Sequence, residues 1–369
     1  MHTAERRATA ALWSIQGIGP LTLRAVQERA GPVGELLEKP VAAWASKVEW
    51  RADTYAHVMS AGTLAAAADR VEQRCKAHHA RILFSGDPGF PSRLVKVHNG
   101  PALLFAFGPG TDAPPRRRLA IVGTRRINND AAQRLEAIAA EAADSGLGIV
   151  SGAARGVDQA AHRGALAVEG ETWAFLGSAL DEIDFGQREI TRAILKHGGT
   201  VFSEFPPGFR ANKNSFKVRN RLISGSADAV LVFRAPQKSG ALHTATYALE
   251  QGRPVLVTPG DPWNESAMGS NELLQQGLAR PHLSLRDLVS AVGLDGALSS
   301  QKAAVAIDLA QLSKLARHVL VLLGIGPADF EALLEALPET SSAELSAVLV
   351  ELEVFGAVVH KGGRRYEKR

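Results

Sequence analysis

Two short glycine-rich segments, each carrying an arginine and each following an apolar run, are the residues of this sequence best suited to hold an anion. Gly123-Thr124-Arg125-Arg126 follows Leu119–Val122, and Ser151-Gly152-Ala153-Ala154-Arg155-Gly156 follows Leu147–Val150 and precedes a helix beginning near Val157. In an open α/β sheet such segments lie in the crevice at the C-terminal ends of the strands, where a helix N-terminus preceded by glycines offers backbone N–H groups to a phosphate. Glycines can also serve tight turns alone and arginines can be plain surface charge. The pairing of two such loops is what favours a phosphate or phosphodiester. A third segment, Phe216-Lys217-Val218-Arg219-Asn220-Arg221, sets one aromatic ring among three cations. Rings stack on bases while Lys and Arg pair with phosphates, as a single-stranded nucleic-acid site requires, although Phe216 could equally be a core residue.

Other chemistry is weakly supported. Asp158 and His162 stand four apart, as a general-base pair on one helix would. A carboxylate in the first helical turn also suits the helix dipole, with His162 as its i,i+4 partner, and that structural role is the expectation. Ile15-Gln16-Gly17-Ile18-Gly19-Pro20 resembles the hairpin of helix-hairpin-helix modules, whose amides can hold a DNA phosphate, and is also an ordinary turn. No GxxxxGK[ST] occurs, and Gly146-Leu147-Gly148 precedes its strand instead of following it, so both the P-loop and the dinucleotide fingerprint fail. The single cysteine, Cys75, permits no internal disulfide, and no histidine spacing is that of a zinc site. No cofactor, no metal and no catalytic activity are expected.

The elements that must position these residues follow from the hydrophobic pattern. From Arg81 onward, short apolar runs alternate with helical stretches: 103–107, 119–122, 147–150, 172–176, 200–202, 229–233 and 254–257. That alternation predicts an α/β domain with a Rossmann-like, largely parallel sheet covered by helices. Residues 130–145 read as one such helix, with Leu135, Ile138, Ala139 and Ala142 on one face and Gly146 as its stop. Residues 1–75 read as a helical SAM-like or helix-hairpin-helix domain, 76–292 as the Rossmann-like domain, 293–308 as a linker of small and polar residues, and 309–369 as a winged helix. In the last, helices at 315–323, 327–337 and 341–355 precede a two-stranded hairpin about Gly362-Gly363. The formal charge is only +4, so the local stripes matter more: Arg210, Lys213, Lys217, Arg219 and Arg221 with no acid among them, and a basic tail from Lys361. No apolar run is long enough to span a membrane and the N-terminus lacks a secretory pattern, so a cytoplasmic protein without membrane insertion is expected.

The motifs taken in order resemble the DNA-processing protein A (DprA/Smf) family, over about residues 90–281. The resemblance is carried by Ile121-Val122-Gly123-Thr124-Arg125, by Ser151 to Asp158 with Ala161-His162, by Ser203-Glu204, by Phe216 to Arg221, by Ser239-Gly240-Ala241-Leu242-His243-Thr244-Ala245, and by Pro259-Gly260 followed by Gly269-Ser270-Asn271. It implies single-stranded DNA binding, protection of incoming DNA in natural transformation, loading of the RecA recombinase against a single-strand-binding protein, and a homodimer. It also implies DNA contacts at Gly123, Thr124, Arg125, Ser151, Gly152, Arg155, Lys217, Arg219 and Arg221, to which Phe216, Asn220, Ser239 and Gly240 are added from the same motifs. The chain departs from the family where Tyr-Pro is replaced within residues 181–186, and where Arg234 stands for an acidic residue, adding a cation near the ligand edge. Two alternatives each lack a residue they require. A nucleoside-monophosphate phosphoribohydrolase would need a carboxylate three residues after Thr244, where Tyr247 stands. A winged-helix regulator of duplex DNA would need a basic recognition helix, whereas residues 341–355 carry Glu344, Glu351 and Glu353 and no Lys or Arg.

Overall fold

A computed structural model describes residues 3–109, 117–294, 313–326, 328–354, 358–360 and 365–368. Met1–Leu294 form one compact unit and Asp295–Arg369 a second. All but the first two residues of the expected linker 293–308 lie outside the described residues, as do Lys361–Arg364 and Arg369 of the basic tail.

The first unit opens with four helices, α1 (Thr3–Trp13), α2 (Pro20–Ala30), α3 (Ala52–Ser60) and α4 (Leu64–Ala77). Their apolar faces do not close on themselves alone. Ala8, Leu12, Trp44 and Leu64 belong to a core that continues into Leu103, Phe105, Leu176 and Val201 of the sheet. The Trp13 indole N–H donates to the Glu204 carbonyl at 2.9 Å, and Arg6 makes two bonds of 2.7 and 2.6 Å to Asp87.

Nine strands follow: β1 (Arg81–Phe84), β2 (Leu103–Phe107), β3 (Arg118–Val122), β4 (Gly148–Ser151), β5 (Thr172–Leu176), β6 (Thr200–Ser203), β7 (Ala229–Val232), β8 (Val255–Val257) and β9 (Arg280–Pro281). They lie in the order β1-β2-β6-β5-β4-β3-β7-β8-β9. From β6 to β9 all pairings are parallel, and β3, β4, β5 and β7 are buried along their whole length, which is why they read as unbroken apolar runs. The helices between them are α5 (Asn129–Asp144), α6 (Val157–Ala167), α7 (Phe185–Lys196), α8 (Lys213–Gly225), α9 (Gly240–Glu250), α10 (Met268–Gln275) and α11 (Leu285–Ala291). Helices α8 and α9 share one core with one face of the sheet, and α5, α6 and α11 share another with the opposite face. One expectation changes: the run 103–107 does not join the parallel set. It is entered from β1 through a loop rather than a crossover helix, so β2 pairs antiparallel with both β1 and β6. Sequence order runs outward from β3 to β6 on one side and from β7 to β9 on the other, so the direction reverses between β3 and β7. Ligands of open α/β sheets bind at that reversal.

In the second unit, α12 (Lys314–Ile325), α13 (Phe330–Ala336) and α14 (Ser342–Val354) pack Val319, Leu323, Leu333, Leu345 and Leu349 against Val358. Strands β10 (Ala328–Asp329), β11 (Val358–His360) and β12 (Arg365–Lys368) form an antiparallel sheet in the order β10-β12-β11. The helix expected from 327 starts only at Phe330, because Ala328 pairs with Tyr366 and Asp329 caps the helix, accepting from the Ala332 N–H at 2.8 Å. No helix of the described residues is long and apolar enough to cross a membrane.

Candidate nucleic-acid interface

A cleft of about 860 Å³ opens at the β3/β7 reversal. One wall is the β3 loop, with Gly123, Thr124, Arg125 and Arg126; a second is α8; the third is the loop after β7 with Lys238, Ser239 and Gly240. Helix α8 starts on a capping box in which the Asn212 side chain accepts from the Asn214 and Ser215 N–H groups and Ser215 Oγ accepts from Asn212 N–H. Once this segment is a helix, its linear run of charges is sorted by phase. Phe216, Arg219, Asn220 and Ile223, at i, i+3, i+4 and i+7, line the cleft, flanked by Lys213 and Lys217. Val218 and Arg221 look instead into a separate hollow shared with the Gly17–Pro20 turn.

Arg125, Lys213, Lys217 and Lys238 are exposed around the cleft, and none pairs with a carboxylate among the described residues. Half-buried Phe216 lies with its ring against Gly177, where a Cβ would come within 2.7 Å of it. The Arg125 guanidinium stands 5.2 Å from the ring centroid and that of Arg219 5.9 Å. Phe216 is thus both a packing residue and a wall of the cleft, and the two readings of it are compatible.

Two of the expected cations are used internally. Arg219 is 3% exposed, and its Nη1 donates to the Gly152 carbonyl at 2.9 Å and to the Phe175 carbonyl. Burial lowers its pKa to about 10, against the support of Asp158. Arg221 is 9% exposed, lies outside the cleft lining, and gives both Nη2 bonds, of 2.5 and 2.6 Å, to the buried Glu204 carboxylate. Linear spacing showed three cations together and could not show which would be consumed by the interior.

The second glycine loop, Ser151 to Gly156, is likewise more structural than ligand-facing. Ser151 is buried and its hydroxyl donates to the Ile121 carbonyl at 2.6 Å. A Cβ on Gly152 would collide with Arg219 Nη1 at 2.1 Å, and one on Gly156, at φ +87°, would meet the Thr124 carbonyl at 2.5 Å. Two of the amides at the start of α6 are already occupied, Val157 N–H by the Thr124 carbonyl at 3.1 Å and Ala154 N–H by Asp158 at 3.3 Å. Arg155 is exposed but does not line the cleft; its side chain lies beside Gly186. Asn220 donates to the Gly240 carbonyl at 3.0 Å, and Ser239 caps α9, so both fix the third wall. Arg234, read as an added cation at the edge, sets its guanidinium 5.5 Å from the Phe233 ring, while its carbonyl takes the Thr124 N–H at 2.7 Å.

Asp158 does not pair with His162. Burial pushes the Asp158 carboxyl upward, opposed by Arg219 and Arg125, while His162 Nδ1 meets Thr172 Oγ1 at 2.7 Å. Because that hydroxyl donates to the Ile149 carbonyl, the imidazole N–H is on Nδ1, and burial lowers the His162 pKa to about 3. Cys75 is buried, its thiol pushed up to about 12 by desolvation, and is inert as a nucleophile. No group of residues that could hold a metal is found among the described residues. Lys238 and His243 were missed by the sequence reading. For Lys238 the signal was available, because it lies in the short loop that leads from β7 to α9, at the same end of the sheet as Gly123-Thr124-Arg125.

Residues 81–293 match the family described as DNA recombination-mediator protein A. Protein Smf of Synechocystis sp. is 31% identical over 320 residues, covering 78% of this chain and 80% of the relative. DNA processing protein DprA of Bacillus subtilis is 35% identical over 189 residues, covering 51% and 63%. Among solved structures, DNA processing protein A of Streptococcus pneumoniae superposes with TM-score 0.58 at 28% identity, covering 78% of this chain and 98% of that one. The Helicobacter pylori protein, whose structure describes a single-stranded DNA binding mode, superposes with TM-score 0.52 at 30% identity, covering 58% and 95%.

Proposed function

The chain belongs to the DNA recombination-mediator protein A family, and from that premise we propose that it binds single-stranded DNA in the cleft between β3 and β7. The observation that carries this reading is that Arg125, Lys217 and Lys238, exposed and paired with no carboxylate among the described residues, line the same cleft as the Phe216 ring, with Arg125 beside that ring. Phosphates fit the cations and a base fits the ring, whereas a duplex keeps its bases stacked away from such a ring. The single-stranded DNA binding mode described for the Helicobacter pylori relative supports the same assignment. We further propose that the protein protects incoming strands, loads RecA recombinase against a single-strand-binding protein, and acts as a homodimer, since two clefts in one assembly raise the effective concentration of the strand. It does so without turnover: the carboxylate lining the cleft, Asp158, is buried and tied to the Ala154 amide, and Tyr247 stands where a phosphoribohydrolase would need an acid.

Titration of labelled oligothymidylate and a matching blunt duplex at several salt concentrations tests the binding. Single strands bind markedly tighter; equal affinities at physiological salt would move the site elsewhere. Strand exchange by RecA on precoated DNA tests the loading, and no stimulation would reduce the role to protection.

A further inference from the structure

Trp263 is 87% exposed, the most exposed large apolar side chain among the described residues, whereas Trp13, Trp44 and Trp173 are buried and Trp50 is half-buried. It does not sit on a slack loop. Asn271 holds Gly260 with both ends of its amide, accepting from the Gly260 N–H at 3.1 Å and donating to its carbonyl at 2.9 Å. Trp263 N–H donates to Asp261 Oδ1 at 2.9 Å, and Ala267 N–H to the Asn264 carbonyl at 2.8 Å.

The neck of this loop is tied to a wall of the cleft. Ser270 N–H donates to the Ala235 carbonyl at 2.9 Å, and Ala235 N–H donates back to Ser270 Oγ at 3.3 Å. Gly269 lies so near the Pro236 and Gln237 backbone that a Cβ there would come within 2.8 Å. The next residues, Lys238 and Ser239, line the cleft. The cleft opens at the ends of β3 and β7, and the Trp263 loop follows β8, the next strand along that edge and about 4.8 Å beyond β7.

We infer that Trp263 is a stacking platform for a base of the single strand just outside the cleft, carrying the bound strand over Lys238 and across the end of β8. This rests on the reading that the cleft takes single-stranded DNA. Asp261 and Glu265 flank the indole in sequence, which keeps phosphates on the Lys238 side and leaves the ring to a base. Every base offers a π face, so the platform lengthens the site without adding sequence preference.

The test compares wild type, Trp263→Phe and Trp263→Ala with oligothymidylates graded from about four to sixteen nucleotides, the span of single-strand sites. Trp263→Ala weakens binding of the long oligonucleotides by roughly five- to a hundredfold, the range for one lost base stack, and leaves the shortest unaffected. Trp263→Phe keeps most of the affinity. Wild-type tryptophan fluorescence is quenched by long strands only, and both variants lose that quenching. Long-strand affinity unchanged in Trp263→Ala, with wild-type fluorescence unquenched, overturns the inference while leaving the cleft intact. A Trp263→Ala protein that changes its oligomeric mass also overturns it, making the indole a subunit contact. Failure of wild type to bind even the shortest strand sinks the cleft reading itself.

Discussion

Helix α8 carries two pairs of cations with opposite fates. Lys213 and Lys217 are exposed at the cleft, whereas Arg219 and Arg221, on the same helix, are buried and spend their donors on the Gly152 and Phe175 carbonyls and on Glu204. The number of positive charges on a segment therefore does not measure its contact with a polyanion. Helical phase and the presence of an internal acceptor decide it. Arginine suits the interior role because its planar fork satisfies several fixed acceptors at once, while lysine, a hydrated point charge, stays outside.

Breaking the buried side should give the largest effect. Arg221→Ala leaves the Glu204 carboxylate buried without its partner, and loss of one member of such a pair costs about 3–5 kcal/mol. Denaturant unfolding should show that loss, while the folded fraction binds oligothymidylate nearly as wild type does. Replacing both partners together, as Arg221→Met with Glu204→Leu, should recover part of the stability. A single variant of normal stability that fails to bind DNA would put Arg221 in the site after all.

His162 sharpens the same side through pH. Its folded pKa, about 3, lies below the ordinary histidine value of 6.5, so the unfolded chain binds the extra proton between them. Stability is full above about pH 6.5 and falls as pH drops toward 3, with a slope approaching ~1.4 kcal/mol per pH unit for one proton. Asp158 and Glu204, both pushed upward by burial, act in the opposite sense at the acid end, so the useful quantity is the difference between wild type and His162→Gln. That variant should lose the slope above pH 5; parallel curves would mean that His162 is not held neutral.

How much of this was legible beforehand differs between fold and site. The buried strands β3, β4, β5 and β7 announce themselves because a parallel strand covered on both faces has no polar side to interrupt it. Strand β2 reads the same way, and its antiparallel direction depends on the connection from β1, which hydropathy does not encode. Within the site, Gly123 and Arg125 are visible because they follow a parallel strand, and ligands of an open α/β sheet bind at such strand ends. The sorting of Phe216 to Arg221 required knowing that the segment is helical and which side the sheet covers. Phe216 and Lys217 remain at the cleft, whereas the partners that remove Arg219 and Arg221, the Gly152 carbonyl and Glu204, lie 67 and 17 residues away in sequence.

On the exposed side, Arg125→Ala and Lys217→Ala should each weaken single-strand binding by on the order of 1–3 kcal/mol, the range for a charge-assisted contact, with stability unchanged. Each should also flatten the plot of log affinity against log salt by about 0.7, because one fewer phosphate is neutralised. Fluorescence anisotropy at graded salt measures both quantities. If either variant loses affinity with no change in slope, its side chain positions the Phe216 ring and does not meet a phosphate.

The smallest effect should come from Arg155, which resembles Arg125 in sequence position but not in surroundings. Both follow a strand end and both are exposed, yet Arg125 stands over Phe216 in the cleft while Arg155 lies beside Gly186, away from the cleft lining. An exposed arginine outside the strand's path contributes only through the general field, which salt screens within about 10 Å at 0.1 M. Arg155→Ala should therefore change affinity by no more than about 0.5 kcal/mol, the usual bound for a neutral surface substitution, and leave the salt slope unaltered. The decisive reading is the slope, since a weak direct contact and a screened distant charge can cost similar energies, but only the contact releases a counterion. A slope reduced by about 0.7 in Arg155→Ala would carry the strand over the end of β4, on the opposite side of β3 from Lys238 and Trp263.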